Sequence, residues 1–393
     1  MARVLKTPSF RPSTKILFFP LVDGGVLFRE GTRRLWVLNH TAAIIWCLLD
    51  QTTDLQELIT QFSQGLSVDR TTAARDVALG LEFFEREGLL GEDTSTVLTT
   101  RDEVADFVRG PEIGASLQVK DRYIFRIGGP LWGLCCENTA LAEDYITLMG
   151  HLAINNKGIS PDTSLWVLPD PGKENSWSIC IDGRVAEQGV PSDRLLPHLL
   201  TLTFVSISHA MADKLLFHAA VVKKGKGAIL FPAAAGSGKT TLAAFLAMHG
   251  YTFFSDELAV LNVQDLTVLP CPLPMSIKSG SVKALSPYYP LLSQLTVYTR
   301  LDTKEVRYLP PPPDSLAQIT DEAKVTAIVF PQFAAHANTR IVGLDKASAL
   351  ARLVQTGSSS RELRPVDISA MISVIEKSPC FELIFSDVEE AEH

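Results

Sequence analysis

Residues Ala233 to Thr241 read Ala-Ala-Ala-Gly-Ser-Gly-Lys-Thr-Thr, directly after the apolar run Ala228-Ile-Leu-Phe-Pro232 and directly before Leu242-Ala-Ala-Phe-Leu-Ala-Met248. That order specifies a strand, a loop and a helix. In such a loop, backbone N–H groups and the positive end of the following helix surround a polyphosphate, a lysine reaches its outer phosphates, and a hydroxyl binds the magnesium ion. Lys239 and Thr240 occupy those two places, with Gly236, Ser237, Gly238 and Thr241 completing the cradle. The first position of the pattern usually carries glycine; Ala233 narrows φ there without forbidding the loop.

The residues after the helix support a phosphate loop. Gly250 sits where a helix C′ residue belongs, and Tyr251-Thr-Phe-Phe-Ser255 reads as a short buried strand ending in Asp256-Glu257. A strand parallel and adjacent to the one before the loop would bring both carboxylates to the carboxyl edge of the sheet, where open α/β sheets bind ligands. The bland alternative is a chance Gly-Ser-Gly turn followed by a solvated Asp-Glu turn.

With 393 residues, 46% of them hydrophobic and 20% charged, the chain has room for about two or three globular domains. Its net charge of −8 comes without a basic block, so nucleic acid is not expected as a partner. Ile16 to Val22 is broken by Pro20 and too short to span a membrane, which leads to an expectation of a cytoplasmic protein with no membrane partner. Cys47, Cys135, Cys136, Cys180, Cys271 and Cys380 lie in apolar surroundings and read as reduced, buried thiols.

Strands are expected at Lys15 to Leu21, Gly25 to Phe28 and Arg34 to Leu38, with a turn at Asp23-Gly24. Helices are expected at 42–49, 54–62 and 70–87, the last capped by Asp69 and carrying Ala74, Val77, Ala78, Leu81 and Phe84 on one stripe. Residues 1–95 thus form a small α+β unit, 96–114 a linker, 115–200 a second α+β subdomain of short strands, and 201–393 the nucleotide-binding domain. Lys214 to Val222 reads as one strand forming a hairpin with the strand before the loop, so His218 either lines the site or is a satisfied core histidine. Lys278 is either a phosphate contact or a surface lysine, and Arg307 either steadies a transferring phosphoryl group or is an exposed strand residue. Helices 346–355 and 368–376 are expected to be capped by Asp345 and Asp367, and the acidic tail from Asp387 to fray.

Two resemblances emerge from these residues. His218-Ala-Ala-Val-Val222, the phosphate loop and Gly250-Tyr-Thr-Phe-Phe-Ser-Asp-Glu257 together resemble the core of HPr kinase/phosphorylase, and Pro274-Met-Ser-Ile-Lys278 is similar to a segment of its related branch. That resemblance implies an α/β P-loop kinase domain with a mixed sheet, using ATP and Mg2+ to phosphorylate a hydroxyl. Carried over, Lys239 and Thr240 hold phosphate and metal, Asp256 is general base or metal ligand, and His218 lines the site. The family's second acidic residue is usually aspartate; here it is Glu257, which leaves the division of base and metal roles open. Relatives assemble as oligomers, so the resemblance also admits self-association.

Separately, Leu38-Asn-His-Thr-Ala-Ala-Ile-Ile-Trp46, Leu55-Gln-Glu-Leu-Ile59 and the ending Glu82-Phe-Phe-Glu-Arg-Glu-Gly-Leu-Leu90 resemble a PqqD-type peptide-recognition domain, a small winged-helix-like α+β fold. The resemblance implies binding of the leader part of ribosomally made peptides through residues 16–90, by strand addition at 34–38 beside the helix at 70–87. A packing or dimerisation module is the alternative. Joined, the two units imply a tethered serine/threonine kinase acting on a peptide, with a raised effective concentration of acceptor. A nucleotide-gated peptide adaptor and a kinase of a small hydroxylated metabolite are the competing expectations.

Overall fold

The structure is a computed structural model and describes residues 10–30, 32, 34–52, 54–91, 122–154, 159–318, 320–357 and 362–392. The expected linker 96–114, like the first residues of the expected subdomain 115–200, lies outside the described residues. The described residues within Met1–Thr99, Leu344–Ala351 and Glu362–Lys377 form one compact unit, and those within Thr100–Gly343, Arg352–Arg361 and Ser378–His393 another.

In the first unit, β1 (Ile16–Leu21), β2 (Gly24–Arg29) and β3 (Leu35–Asn39) form an antiparallel meander, followed by α1 (His40–Leu49), α2 (Leu55–Leu66) and α3 (Arg70–Arg86). The hairpin turn is Val22-Asp23, one residue earlier than expected, because Leu21 already pairs with Gly24. Gly24 belongs in the strand since a Cβ there would lie 2.1 Å from the Leu38 carbonyl oxygen. Leu27, Trp46, Phe62, Val77 and Phe84 meet in one core, each large side chain contributing about 1.5–3 kcal/mol by burial. The buried stripe of α3 is Ala73, Val77, Gly80, Leu81 and Phe84. Ala78 faces solvent instead, and Gly80 faces inward because a Cβ there would come within 2.9 Å of Ile45.

The second unit begins with β4 (Arg122–Arg126), β5 (Leu131–Cys136), α4 (Thr139–Met149), β6 (Thr163–Pro169), β7 (Ser176–Ile181) and β8 (Arg184–Pro191), which make a five-stranded sheet in that strand order. Then α5 (Leu195–Ala210) runs unbroken across the 200/201 boundary. Its Leu199 and Leu202 share a core with Trp132, Tyr145, Val260 and Tyr308.

Next come β9 (Leu215–Phe217), β10 (Ala219–Lys224), β11 (Gly227–Pro232), α6 (Lys239–Met248), β12 (Thr252–Ser255), β13 (Ala259–Leu261) and β14 (Thr267–Leu269). They are followed by β15 (Met275–Lys278), α7 (Val282–Leu285), β16 (Tyr298–Thr299), β17 (Glu305–Leu309), β18 (Ala323–Phe333), β19 (Arg340–Gly343), α8 (Lys346–Gln355), α9 (Pro365–Lys377) and β20 (Cys380–Phe385). A nine-stranded mixed sheet runs β12-β10-β11-β18-β14-β13-β9, with β20 and β19 added beside β18. The chain is therefore a mixed α/β protein with several sheets.

Several details differ from the sequence-based expectations. The strand expected from Lys214 to Val222 breaks at His218, whose N–H donates to the Thr356 carbonyl at 2.7 Å, so β9 and β10 join different neighbours. Asp367 lies inside the first turn of α9, fully buried against the Arg364 guanidinium at 3.0 Å. The tail is held rather than frayed: the Tyr288 hydroxyl bonds Glu389, and Thr339 donates to Glu390 at 2.6 Å. All six cysteines are free thiols; five are buried, while Cys47 is exposed. Among the described residues no helix is long and apolar enough to cross a membrane.

Candidate functional site

Three chain segments end at one edge of the nine-stranded sheet. β10 pairs antiparallel with both β11 and β12, so β12 is not adjacent to β11 as expected; β10 lies between them. Two reversals restore direction. The end of β11 at Pro232 stands opposite Ala219, and the end of β12 at Ser255 stands opposite Val221. His218, the loop 233–238 and Asp256-Glu257 therefore gather where β10 begins and its two neighbours finish.

The loop itself has strong conformational demands at two positions. Gly236 and Gly238 sit at φ of 92° and 93°, in the left-handed region that glycine tolerates. Ala233 shows no positive φ, so the alanine at that position imposes no strain. Gly238 is also the N-cap of α6 and supplies no side-chain hydrogen bond to it. A Cβ at Gly238 would meet the Phe385 ring at 2.7 Å, whereas a Cβ at Gly236 would face open space. The hydroxyl of Ser237 is buried and has no hydrogen-bond partner. A helix start without a cap, beside an unsatisfied hydroxyl, is a local deficit of acceptors. At the far end Gly250, at φ of 79°, closes the helix as expected, with Tyr251 N–H donating to Leu246 O at 3.2 Å.

Lys239 is buried, and its ammonium donates to His218 Nε2 at 3.1 Å and to the Ala234 carbonyl at 3.4 Å. An ammonium has no acceptor, so Nε2 must be the unprotonated imidazole nitrogen. Burial and the Lys239 charge accordingly hold the His218 pKa below its ordinary value, partly opposed by Glu257, whose charge and backbone hydrogen bond favour the imidazolium. Burial likewise lowers the Lys239 pKa, opposed by Glu257 and Asp256. Asp256 is buried, and burial together with the Glu257 charge pushes its pKa up to about 7, against a hydrogen bond from Thr240 and the Lys239 charge. Thr241 is turned elsewhere, donating to Ser281 Oγ at 2.7 Å.

A cavity of about 750 Å3 opens on the loop, lined by Gly236, Lys239, Thr240, Lys278, Lys283 and Phe385 among others. Lys278, at the end of β15, thus reaches the same space as Lys239; burial, then Lys304 and Arg300, hold its pKa below the usual lysine range. A second cavity of about 90 Å3 carries Asp256, Glu257, Arg300 and Tyr308. Ser276 lines both. Arg307 lines neither; it stands opposite Ile277 on β17, with a buried Nε lacking a partner. Its neighbour Tyr308 and the turn residue Arg300 face the small cavity instead. Strand alternation could have separated 307 from 308, but nothing local in the sequence marks Arg300.

The donor set fits a magnesium polyphosphate. Among the described residues no three or more His, Cys, Asp or Glu side chains group into a metal cluster, whereas Mg2+ usually takes one or two carboxylates and completes its shell with phosphate and water. Thr240, Asp256 and Glu257 could supply that share, and the uncapped loop could supply the anion cradle.

Residues 24–90 match the family described as coenzyme PQQ synthesis protein D (PqqD), from β2 to just beyond α3. The first unit therefore contains a PqqD-type domain. A solved structure of TbiB1 in complex with the TbiA(beta) leader peptide is similar at 24% identity, covering 22% of this chain and 98% of its own, with a TM-score of 0.20. No curated protein matches the chain.

Proposed function

We propose that this chain is a magnesium-dependent kinase that transfers the γ-phosphoryl group of ATP to a serine or threonine hydroxyl of a ribosomally made peptide recruited by its PqqD-type domain. The observation that carries this reading is the acceptor-poor loop: two left-handed glycines, an orphaned Ser237 hydroxyl and a buried Lys239, all beside a carboxylate pair. The main-chain amides of Gly236 to Thr240 hold the triphosphate tail, and Lys239 and Lys278 neutralise it from two sides. Magnesium, which Thr240 and Glu257 would hold, would supply further charge neutralisation and leave Asp256 free.

Asp256 is the general base. A pKa of about 7 leaves it near half ionised at neutral pH, where a base combines adequate population with proton affinity. The acceptor oxygen forms a bond to the γ-phosphorus, the bond from that phosphorus to the leaving ADP oxygen breaks, and the hydroxyl proton passes to Asp256. Neutral His218 keeps the Lys239 ammonium aimed at the loop. For recruitment, β3 pairs with β2 alone among the described strands, so its outer edge can take an added peptide strand.

The test is direct. γ-Labelled ATP and a peptide encoded beside the gene are incubated with the full chain, and mass spectrometry locates the label on a hydroxyl. Lys239→Ala should lower labelling by roughly 10²- to 10³-fold and leave peptide binding intact. Calorimetry without heat on adding ATP would end the reading, and nucleotide binding without product over a broad peptide panel would turn it into an adaptor.

A further inference from the structure

The small cavity behind Ser276 has a size and a charge that the phosphate-holding residues do not explain. Its volume of about 90 Å3 corresponds to roughly three water molecules at about 30 Å3 each. It can admit the tip of one or two side chains, not a nucleobase. Lys239, Lys278 and Lys283 line the large cavity and not this one, while Arg300 lines this one and not the large cavity. The phosphates of a nucleotide are thus served without Arg300, which shares its chamber with the proposed base.

Arg300 also retains donor capacity. Its Nη1 reaches Ser276 Oγ at 3.4 Å and its Nε reaches Asp302 at 3.4 Å, both long contacts for a group with five donors. Asp302 is shared with Lys304 at 2.9 Å. Lys304 and Arg300 stand close enough to Lys278 to disfavour its charge, with Asp302 and Glu257 opposing them. A guanidinium fork with spare donors, in a chamber sized for a carboxylate, is suited to bidentate recognition of an oxyanion.

We propose that this chamber is the acceptor subsite and that Arg300 selects hydroxyl acceptors carrying an anionic group, carboxylate or phosphate, beside the hydroxyl to be phosphorylated. The proposal rests on the kinase reading above and adds its substrate class. Arg300 is a positioning residue: it fixes the anion so that the neighbouring hydroxyl meets Asp256.

Decapeptides with a single acceptor serine followed by aspartate, asparagine or phosphoserine, offered at millimolar concentration with Mg-ATP to the full chain, test it. The wild-type protein should favour the aspartate or phosphoserine peptide over the asparagine one by roughly 10- to 100-fold in kcat/KM, and the two acidic arms show which anion is read. Arg300→Gln should erase that preference through the peptide KM, and Arg300→Lys should restore part of it. Equal use of acidic and neutral peptides by the wild-type protein, or a preference that survives Arg300→Gln, overturns the proposal while the kinase reading stands. Absence of calorimetric heat with ATP overturns both.

Discussion

The three helices of the PqqD-type domain and α6, the helix after the glycine loop 233–238, begin in opposite ways. Asn39 accepts from Ala42 N–H at 2.9 Å, Asp54 from Glu57 N–H at 2.8 Å, and Asp69 from Thr71 and Thr72 N–H at 2.9 and 3.0 Å. Each cap satisfies donors its helix would otherwise leave open. α6 starts on a glycine with no side-chain cap, no acidic residue in its first turn and a buried lysine. The first three helix starts are satisfied by side chains of their own segment, whereas the fourth has no side-chain acceptor, the deficit that the proposed triphosphate would fill.

The largest effect should come from Asp256→Asn, which separates activity from stability. On the kinase reading, removing the proposed base should lower transfer by roughly 10²- to 10⁴-fold, and wild-type activity should rise with pH through about 7 as Asp256 ionises. Stability should move the other way. A carboxylate whose folded pKa is raised from 3.8 to about 7 binds a proton in the folded state that the unfolded chain has released, so wild-type stability falls between about pH 4 and pH 7. The asparagine variant escapes that loss, on the order of 4 kcal/mol at pH 8, and nothing at pH 4. Thermal melts at the two pH values check the sign; a variant less stable than wild type at pH 8 refutes the buried, strained carboxylate.

Lys239→Ala comes next. Loss of the ammonium should cost roughly 10²- to 10³-fold in transfer and remove the calorimetric signal with ATP, with melting little changed, because its partners are a histidine and a carbonyl at 3.1 and 3.4 Å rather than a counter-ion. Gly238→Ala tests the loop backbone instead of its charge. At φ of 93° and with the Phe385 ring 2.7 Å from the new Cβ, the variant should lose about 1–3 kcal/mol of folding stability. Ala233→Gly should cost far less, since that position already accepts an alanine without positive φ.

The same contrast between local and borrowed order explains how much was legible in the sequence. The strand–loop–helix order, the Gly250 terminus and the caps Asp69 and Asp345 are local, so spacing and residue type reveal them. The placement of β12 beyond β10 is not, because pairing across the sheet depends on which strand competes best for an edge, and His218 gives no local sign that it splits its strand. The inward face of α3 departs from expectation at Ala78 because Gly80, which carries no hydrophobic side chain to count, takes a core position by close approach to Ile45. Arg300 is invisible in the sequence for a related reason: it lies in the turn between β16 and β17, and only the hairpin's fold brings it to Asp256. Arg307 stands out by its strand position, yet alternation turns its neighbour to the cavity.

The smallest effect should belong to Asp69→Ala. It removes two backbone caps at 2.9 and 3.0 Å and a hydroxyl contact with Thr72 at 2.6 Å, all on an exposed helix end where water can replace them. The loss should be small, read as a slight drop in the melting of the PqqD-type domain. Those hydrogen bonds hold the Asp69 carboxyl below its usual range, so the difference between the two proteins should shrink as the pH falls and the wild-type cap is itself protonated. Transfer to a free decapeptide, which does not depend on the recruiting domain, should be unaltered. A substitution at this cap that abolished labelling of such a peptide would show that the two kinds of helix start are not independent.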